Sequence, residues 1–201
     1  MKIKILKIMF LILYPTLFLG CYKKEKIFFM HNNKNVLCEY RIKRFTGEKD
    51  GPFIRFSMSG DTLEKSYFKN GKLEGKSISF FENGLIQIES EFFQDMINGE
   101  FIEYYNNGQI RCKLKYKNNK LIEIIEVFDS SGNKLSPGLF NDGNGLVNIY
   151  YPNGAIYKQG HFKNGLKSGY WKFYNEKGDL LDSTLYEEGY SDFTFMQDIK
   201  Y

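Results

Sequence analysis

Apolar and polar residues alternate along most of this chain in short runs, as in residues 76–80 (KSISF) and 85–89 (LIQIE). A period of two predicts half-buried β-strands. Glycines cut these runs in a fixed register. Gly51, Gly75 and Gly99, then Gly145 and Gly169, lie 24 residues apart, and each is followed nine residues later by Gly60, Gly84, Gly108, Gly154 or Gly178. Counting from each leading glycine, an aromatic recurs at +5 (Phe56, Phe80, Tyr104, Tyr150, Tyr174) and another at +17 (Phe68, Phe92, Tyr116, Phe162, Tyr186). Self-similarity at such a period marks an array of small supersecondary copies, none able to bury its apolar face alone.

Within a copy, Asn-Gly at 83–84, 107–108 and 153–154 supplies the positive φ of a hairpin turn. A second turn is expected at Asn70 and Gly71, Asn164 and Gly165, and Glu188 and Gly189. One copy therefore reads as strand, turn, strand, turn, with strands of about eight to ten residues. Residues at +3 and +5, such as Ile78 and Phe80, share one sheet face, and Ile86 and Phe92 share a face on the return strand. Rings of this kind bury roughly 150–250 Å² each, so the recurrent aromatics are expected to supply most of the core. The copy led by Glu123 is two residues short and contains Ser136, Pro137 and Gly138, where a proline cannot donate to a ladder. A bulge, bend or loop is expected there.

The pattern Tyr67, Phe68, Lys69, Asn70, Gly71, Lys72, Leu73, Glu74, Gly75 resembles the MORN repeat, and more closely its bacterial variant found in YwqK-type antitoxin-like proteins. The resemblance covers about 51–192, with a degraded half copy around Phe45, Gly47 and Gly51; Asp95 and Asn119 stand where the other second turns have glycine. It implies an all-β fold, an elongated antiparallel meander of tandem hairpins in a single-layer twisted sheet, used for association with proteins or lipids. It carries over no catalytic residues.

The amino terminus differs in kind. Lys2, Lys4 and Lys7 precede an apolar run from Ile8 to Leu19, then Gly20 and Cys21. That is the layout of a signal peptide, expected to be a short helical segment, and the run is too short to span a bilayer comfortably. Residues 17–21 (LFLGC) resemble a bacterial lipobox, in which Cys21 is lipidated and becomes the first residue, with Phe18 where leucine is usual. The expected organisation is a lipoprotein signal peptide at 1–20, a tether at 21–35, a repeat domain at 36–192 (copies 51–74, 75–98, 99–122, 123–144, 145–168, 169–192) and a carboxyl-terminal cap at 193–201. Lys23, Lys24 and Lys26 read as solvated tether, although Ile27, Phe28, Phe29 and Met30 have the composition of a short strand. Phe193, Phe195, Met196, Ile199 and Tyr201 suit a segment covering the last strand edge.

The formal net charge is +4, and Lys2, Lys4 and Lys7 supply three of it, leaving +1 without the leader. Charge therefore gives no support to a nucleic-acid partner. Cys38 and Cys112 lie 74 residues apart, about six strands, so at roughly 4.8 Å per strand they stand near 29 Å apart and are expected to be free thiols. His31 and His161 are the two histidines, which leaves no two-histidine metal site on one element. Gly143, Asn144 and Gly145 open no helix and are not a phosphate loop. Carboxylates such as Glu89, Glu91, Glu187 and Glu188 have no nucleophile and base beside them. No enzyme, cofactor or metal is expected. The function expected is a noncatalytic protein- or lipid-binding scaffold, exported and lipid-anchored to the bacterial cell envelope on its periplasmic or cell-surface side, with an unidentified protein partner. An antitoxin or immunity-like protein that neutralises a toxin by direct binding is the alternative. Tyr105, Tyr151, Tyr157, Tyr170 and Trp171 fall outside the recurrent ring positions and are the expected contact surface, because aromatics dominate interface hot spots. Open sheet edges also permit oligomerisation.

Overall fold

The computed structural model describes residues 21–31 and 34–190. The leader at 1–20 and the cap at 193–201 lie outside the described residues. The fold is all-β, with no helix among the described residues. The chain divides into two compact units between Glu74 and Gly75. In the first, β1 (Tyr22–His31), β2 (Lys34–Lys43), β3 (Lys49–Ser57) and β4 (Thr62–Lys69) lie side by side, and the short β5 (Lys72–Leu73) pairs with β4. In the second, β6 (Gly75–Phe80), β7 (Ile86–Phe93), β8 (Met96–Tyr104), β9 (Ile110–Lys117) and β10 (Lys120–Val127) follow in order. A separate five-stranded sheet then runs β11 (Phe140–Asn141), β12 (Asn144–Tyr150), β13 (Ile156–Lys163), β14 (Leu166–Tyr174) and β15 (Leu180–Tyr190). Within β6–β10 and within β12–β15 each strand pairs antiparallel with the one that follows it in sequence.

The tether expected over 21–35 is instead mostly strand. β1 pairs with β2 along its whole length, from Tyr22↔Lys43 to His31↔Lys34. The residues that read as solvated linker find partners across the ladder. Lys26 Nζ meets Glu39 Oε1 at 2.5 Å, and the Arg41 guanidinium lies 4.2 Å above the Tyr22 ring.

Two turns of different chemistry alternate. At the +9 glycine, Gly84 N donates to Phe81 O at 3.0 Å and Phe81 N to Leu85 O at 2.8 Å. The same pair of bonds closes the turns at Ser57, Tyr105, Asp129, Tyr151 and Asn175. Here Gly84 has positive φ and Asn83 does not, so this is a type I turn ended by a left-handed glycine, and the glycine alone supplies the positive φ expected of the Asn-Gly pair. The second turn is the doubly left-handed one: Asn70 and Gly71, Gln94 and Asp95, Asn118 and Asn119, Asp142 and Gly143, Asn164 and Gly165 all have positive φ. Glycine is indispensable where such turns stack. A Cβ on Gly165 would meet Leu121 O at 2.7 Å, and one on Gly143 would meet Gly165 N at 2.8 Å, whereas Asp95 and Asn119 keep the same backbone. The expected turn at Glu188 and Gly189 is absent. β15 continues to Tyr190, because β14 begins at Leu166 and offers Lys167 as its partner.

Five of the six copies also carry a β-bulge at one place. The ladder slips between Arg55 and Phe56, Ser79 and Phe80, Glu103 and Tyr104, Ile149 and Tyr150, and Phe173 and Tyr174. The residue skipped on the return strand is Leu63, Gln87, Arg111, Tyr157 or Leu181, and a bulge re-aims such a side chain.

The two families of rings therefore do not share a face. Phe101↔Leu114 and Gly99↔Tyr116 are paired, as are Ile102↔Lys113 on the opposite face, so the +17 rings lie with the +2 residues and the +5 rings lie behind them. The second unit's core is the +2, +4, +15 and +17 face: Phe101, Leu114, Tyr116, Val147, Ile149, Phe162 and Trp171 are buried there with Ile97, Cys112, Leu121 and Val127. Rings meet edge to face along it, as in Phe140–Phe162 at 5.8 Å and Phe162–Trp171 at 5.4 Å. Among the +5 rings Tyr150 alone is buried, with its hydroxyl on Ser136 O at 2.5 Å, and the other four are half-buried. The short copy forms a loop as expected: between β10 and β11 there is one bridge, Phe128↔Lys134, and Pro137 O accepts from Asn148 N at 2.9 Å.

All ten leading and +9 glycines expected as structural (Gly51, Gly60, Gly75, Gly84, Gly99, Gly108, Gly145, Gly154, Gly169, Gly178) have positive φ. Gly160 does a different job, since a Cβ there would fall inside the Trp171 indole. Gly160→Ala should lower the unfolding free energy by about 1–3 kcal/mol, as overpacking does, read as a reduced denaturant midpoint at unchanged slope.

Candidate binding surface

The five aromatics expected at a contact surface are placed very differently by the fold. Trp171, on β14 at +2, is 0% exposed, stacked over Gly160, with its Nε1–H donating to His161 O at 3.2 Å. Tyr105 is 2% exposed and its hydroxyl donates to Phe128 O at 2.9 Å. Tyr151, in the equivalent place, donates to Tyr174 O at 2.8 Å. Tyr157 is half-buried between the rings of Tyr151 and Phe173, at 5.0 and 6.1 Å. Tyr170 alone of the five is open, at 63% exposure. The expectation of a five-residue surface is thus corrected. Trp171 and Tyr105 are core residues, Tyr151 is built into a turn, and Tyr157 is the bulge residue of β13 packed against it.

The hydroxyls of Tyr105 and Tyr151 each reach 23 residues forward, into the turn of the following copy. Turn asparagines do the same: Asn83 Nδ2 donates to Asn106 O and Asn107 Nδ2 to Ser130 O, both at 2.9 Å, and Asn153 Nδ2 to Glu176 Oε2 at 2.7 Å. Their own Oδ1 atoms accept from Leu85, Gln109 and Ala155 N at 3.0 Å, which explains asparagine before the glycine. At the opposite turns, Asp50, Asn98 and Asn144 side chains accept from the N–H of Asn70, Asn118 and Asn164.

Sequence reasoning missed the buried charges. Arg111, the bulge residue of β9, is 2% exposed, and its Nη1 donates to Glu103 Oε1 at 3.0 Å while Nη2 donates to Tyr150 O at 3.3 Å. Burial raises the Glu103 carboxyl above its usual range, against the pull of Arg111 and Lys158. Burial, then the Glu103 charge, lifts the Cys112 thiol well above the ordinary cysteine value. Cys38 and Cys112 are buried free thiols. A period-two reading assigns Arg111 to the outer face, and no local signal marks the bulge that turns it inward.

Two residues before the leading glycine, Leu73, Ile97 and Leu121 are apolar, but Lys49 and Lys167 take that place in the first and last copies. Lys49 Nζ lies 4.7–5.0 Å from the ring centroids of Phe68, Phe53 and Tyr40, and Lys167 Nζ lies 5.0 Å from Trp171 and Tyr186. Aromatic faces there attract the ammonium groups.

The other face carries exposed chemistry. Lys76 pairs with Glu89, whose Oε1 also accepts from the Tyr104 hydroxyl at 2.8 Å, and Lys113 and Lys134 hold Glu126 at 3.2 and 3.4 Å. The Lys76 and Tyr104 hydrogen bonds keep Glu89 below the usual carboxylate range, while burial and the bond to Glu89 push Tyr104 up to about 12. On the last hairpin Tyr170 pairs with Leu185, and Leu180 and Leu181 follow along β15, all more than half exposed. These apolar side chains, with the exposed Lys172↔Ser183 pair between Leu185 and Leu180, are the surface best suited to a partner. Among the described residues no group of three or more His, Cys, Asp or Glu is placed to hold a metal ion.

Arg111→Ala should cost about 3–5 kcal/mol, because it leaves the Glu103 carboxylate buried without its partner, and the double change Arg111→Met with Glu103→Leu should recover most of that in a chemical melt. Glu89 has a lowered folded pKa, so its contribution to stability is complete above the ordinary carboxylate range and is lost as pH falls through the lowered value. An acid titration of stability should therefore show a smaller loss for Tyr104→Phe than for the parent chain.

Residues 61–77, 97–118 and 144–164 match the family model described as MORN repeat variant. No curated protein matches the chain. The matched stretches fall on β4 to the start of β6, on β8 and β9, and on β12 and β13, so each match to the repeat model coincides with paired strands and a turn described above.

Proposed function

We propose that this protein is a noncatalytic binding and scaffolding module held at the bacterial cell envelope by a lipid on Cys21. MORN-type hairpins are consistent with binding or scaffolding, and the observation that carries the reading is the exposed group of Tyr170, Leu180, Leu181 and Leu185 on the final hairpin. Several exposed apolar side chains grouped on one hairpin favour association with another surface. The anchor rests on the leader pattern of residues 1–21, with basic residues, an apolar run and a small residue before Cys21. Lipid and protein contacts would then act together, the first confining the chain to a surface and the second selecting its partner.

Cross-linking in intact cells, followed by mass spectrometry, identifies the partner. The double variant Tyr170→Ala, Leu185→Ser should keep the parent melting temperature and lose the cross-link, whereas retention of the partner removes this group from the binding surface. Cys21→Ser should release the chain from the membrane fraction and abolish incorporation of a labelled fatty acid. A toxin recovered as the cross-linked protein assigns the module to direct neutralisation.

A further inference from the structure

We infer that the end of the first unit carrying Cys21 lies directly against anionic membrane headgroups, with the Phe45 side chain entering the interface. The inference rests on acylation of Cys21 as proposed above. Its own basis is the lack of slack between that residue and the sheet. Cys21 O accepts from Arg44 N at 2.8 Å, the ladder begins at Tyr22↔Lys43, and Arg41 covers the Tyr22 ring. A lipid on Cys21 would therefore hold the β2–β3 turn, residues 44–48, beside the acyl chains.

That turn has the chemistry of an interfacial contact. Phe45 is 91% exposed, the highest value of any large apolar side chain among the described residues. Among the described residues its ring has no aromatic or cationic partner, and the exposed Arg44 precedes it. Lys43 Nζ bonds Asn70 Oδ1, which brings the Asn70–Gly71 turn to the same end together with the exposed Lys69 and Lys72. The acids there are engaged internally: Glu48 pairs with Lys43 at 3.5 Å, and Asp50 accepts from Asn70 N at 3.1 Å. Free positive charge around a single projecting ring matches a surface of phosphate headgroups, where basic residues are attracted and an aromatic settles at the acyl boundary.

The test uses the full chain, expressed with its leader, purified in lipidated form and reconstituted in vesicles of brominated phosphatidylglycerol. Trp171 is fully buried and gives a common background. The Phe45→Trp chain should lose most of its added emission to bromine quenching and shift to the blue. Met58→Trp, in the turn at the far end of β3, nine residues long, stands about 26 Å away at 3.3 Å per residue, and that chain should remain unquenched. Adding Arg44→Glu and Lys72→Glu to the Phe45→Trp chain should restore its emission. A lipidated Phe45→Trp chain quenched no more than the lipidated Met58→Trp chain overturns the inference while leaving the anchor standing. Mass spectrometry showing no lipid on Cys21 overturns both.

Discussion

The fold depends on hydrogen bonds that leave one copy and land in the next. An isolated hairpin is marginal in water, so the array persists through what neighbouring copies share. The backbone ladder provides part of that, but ladders slide. Register is fixed where a turn asparagine donates 23 residues ahead and where the hydroxyl of Tyr105 or Tyr151 does the same. A slip of one residue would both break these bonds and turn Phe101, Leu114 and Trp171 outward. The polar staples at the sheet margins and the apolar face between them thus impose the same pairing.

Much of this is legible in the glycine spacing. Strand positions, turn positions and the irregular short copy follow from where Gly51 to Gly178 stand, since a left-handed residue at those points leaves few backbone solutions. What parity alone does not yield is the side of the sheet that each ring takes. The recurrent bulge sits between +4 and +5, and it neither adds a residue to the period nor demands a special amino acid. Trp171 looks like an outlier in the sequence because its position is filled by Phe53 and Phe101 elsewhere but by Ser77 and Val147 too, and the small residue that receives it, Gly160, lies on another strand. Tyr170, next to it, is open as its place outside the recurrent rings suggests. The first hairpin is hidden by composition: Lys23, Lys24 and Lys26, which resemble a linker, are strand residues paired with Ile42, Arg41 and Glu39.

Charge inside this protein is used sparingly and in two ways. Lys49 and Lys167 replace aliphatic residues at the two ends of the repeat series, where rings are the available neighbours and cation–π attraction offsets part of the desolvation. Arg111 and Glu103 are different, because each answers the other's charge and the guanidinium also satisfies a carbonyl of a distant strand. Buried pairs of this kind contribute little net stability against an apolar alternative but make mispacking costly.

The reach of Arg111 has a consequence for how such a protein can lengthen. Its acceptor, Tyr150 O, lies 39 residues on, across the shortened copy and its loop. Tandem duplication of a whole 24-residue module between these two positions would carry the carbonyl away and strand a guanidinium in the interior. Growth by copying is open at joints made of interchangeable turns, and closed at this one.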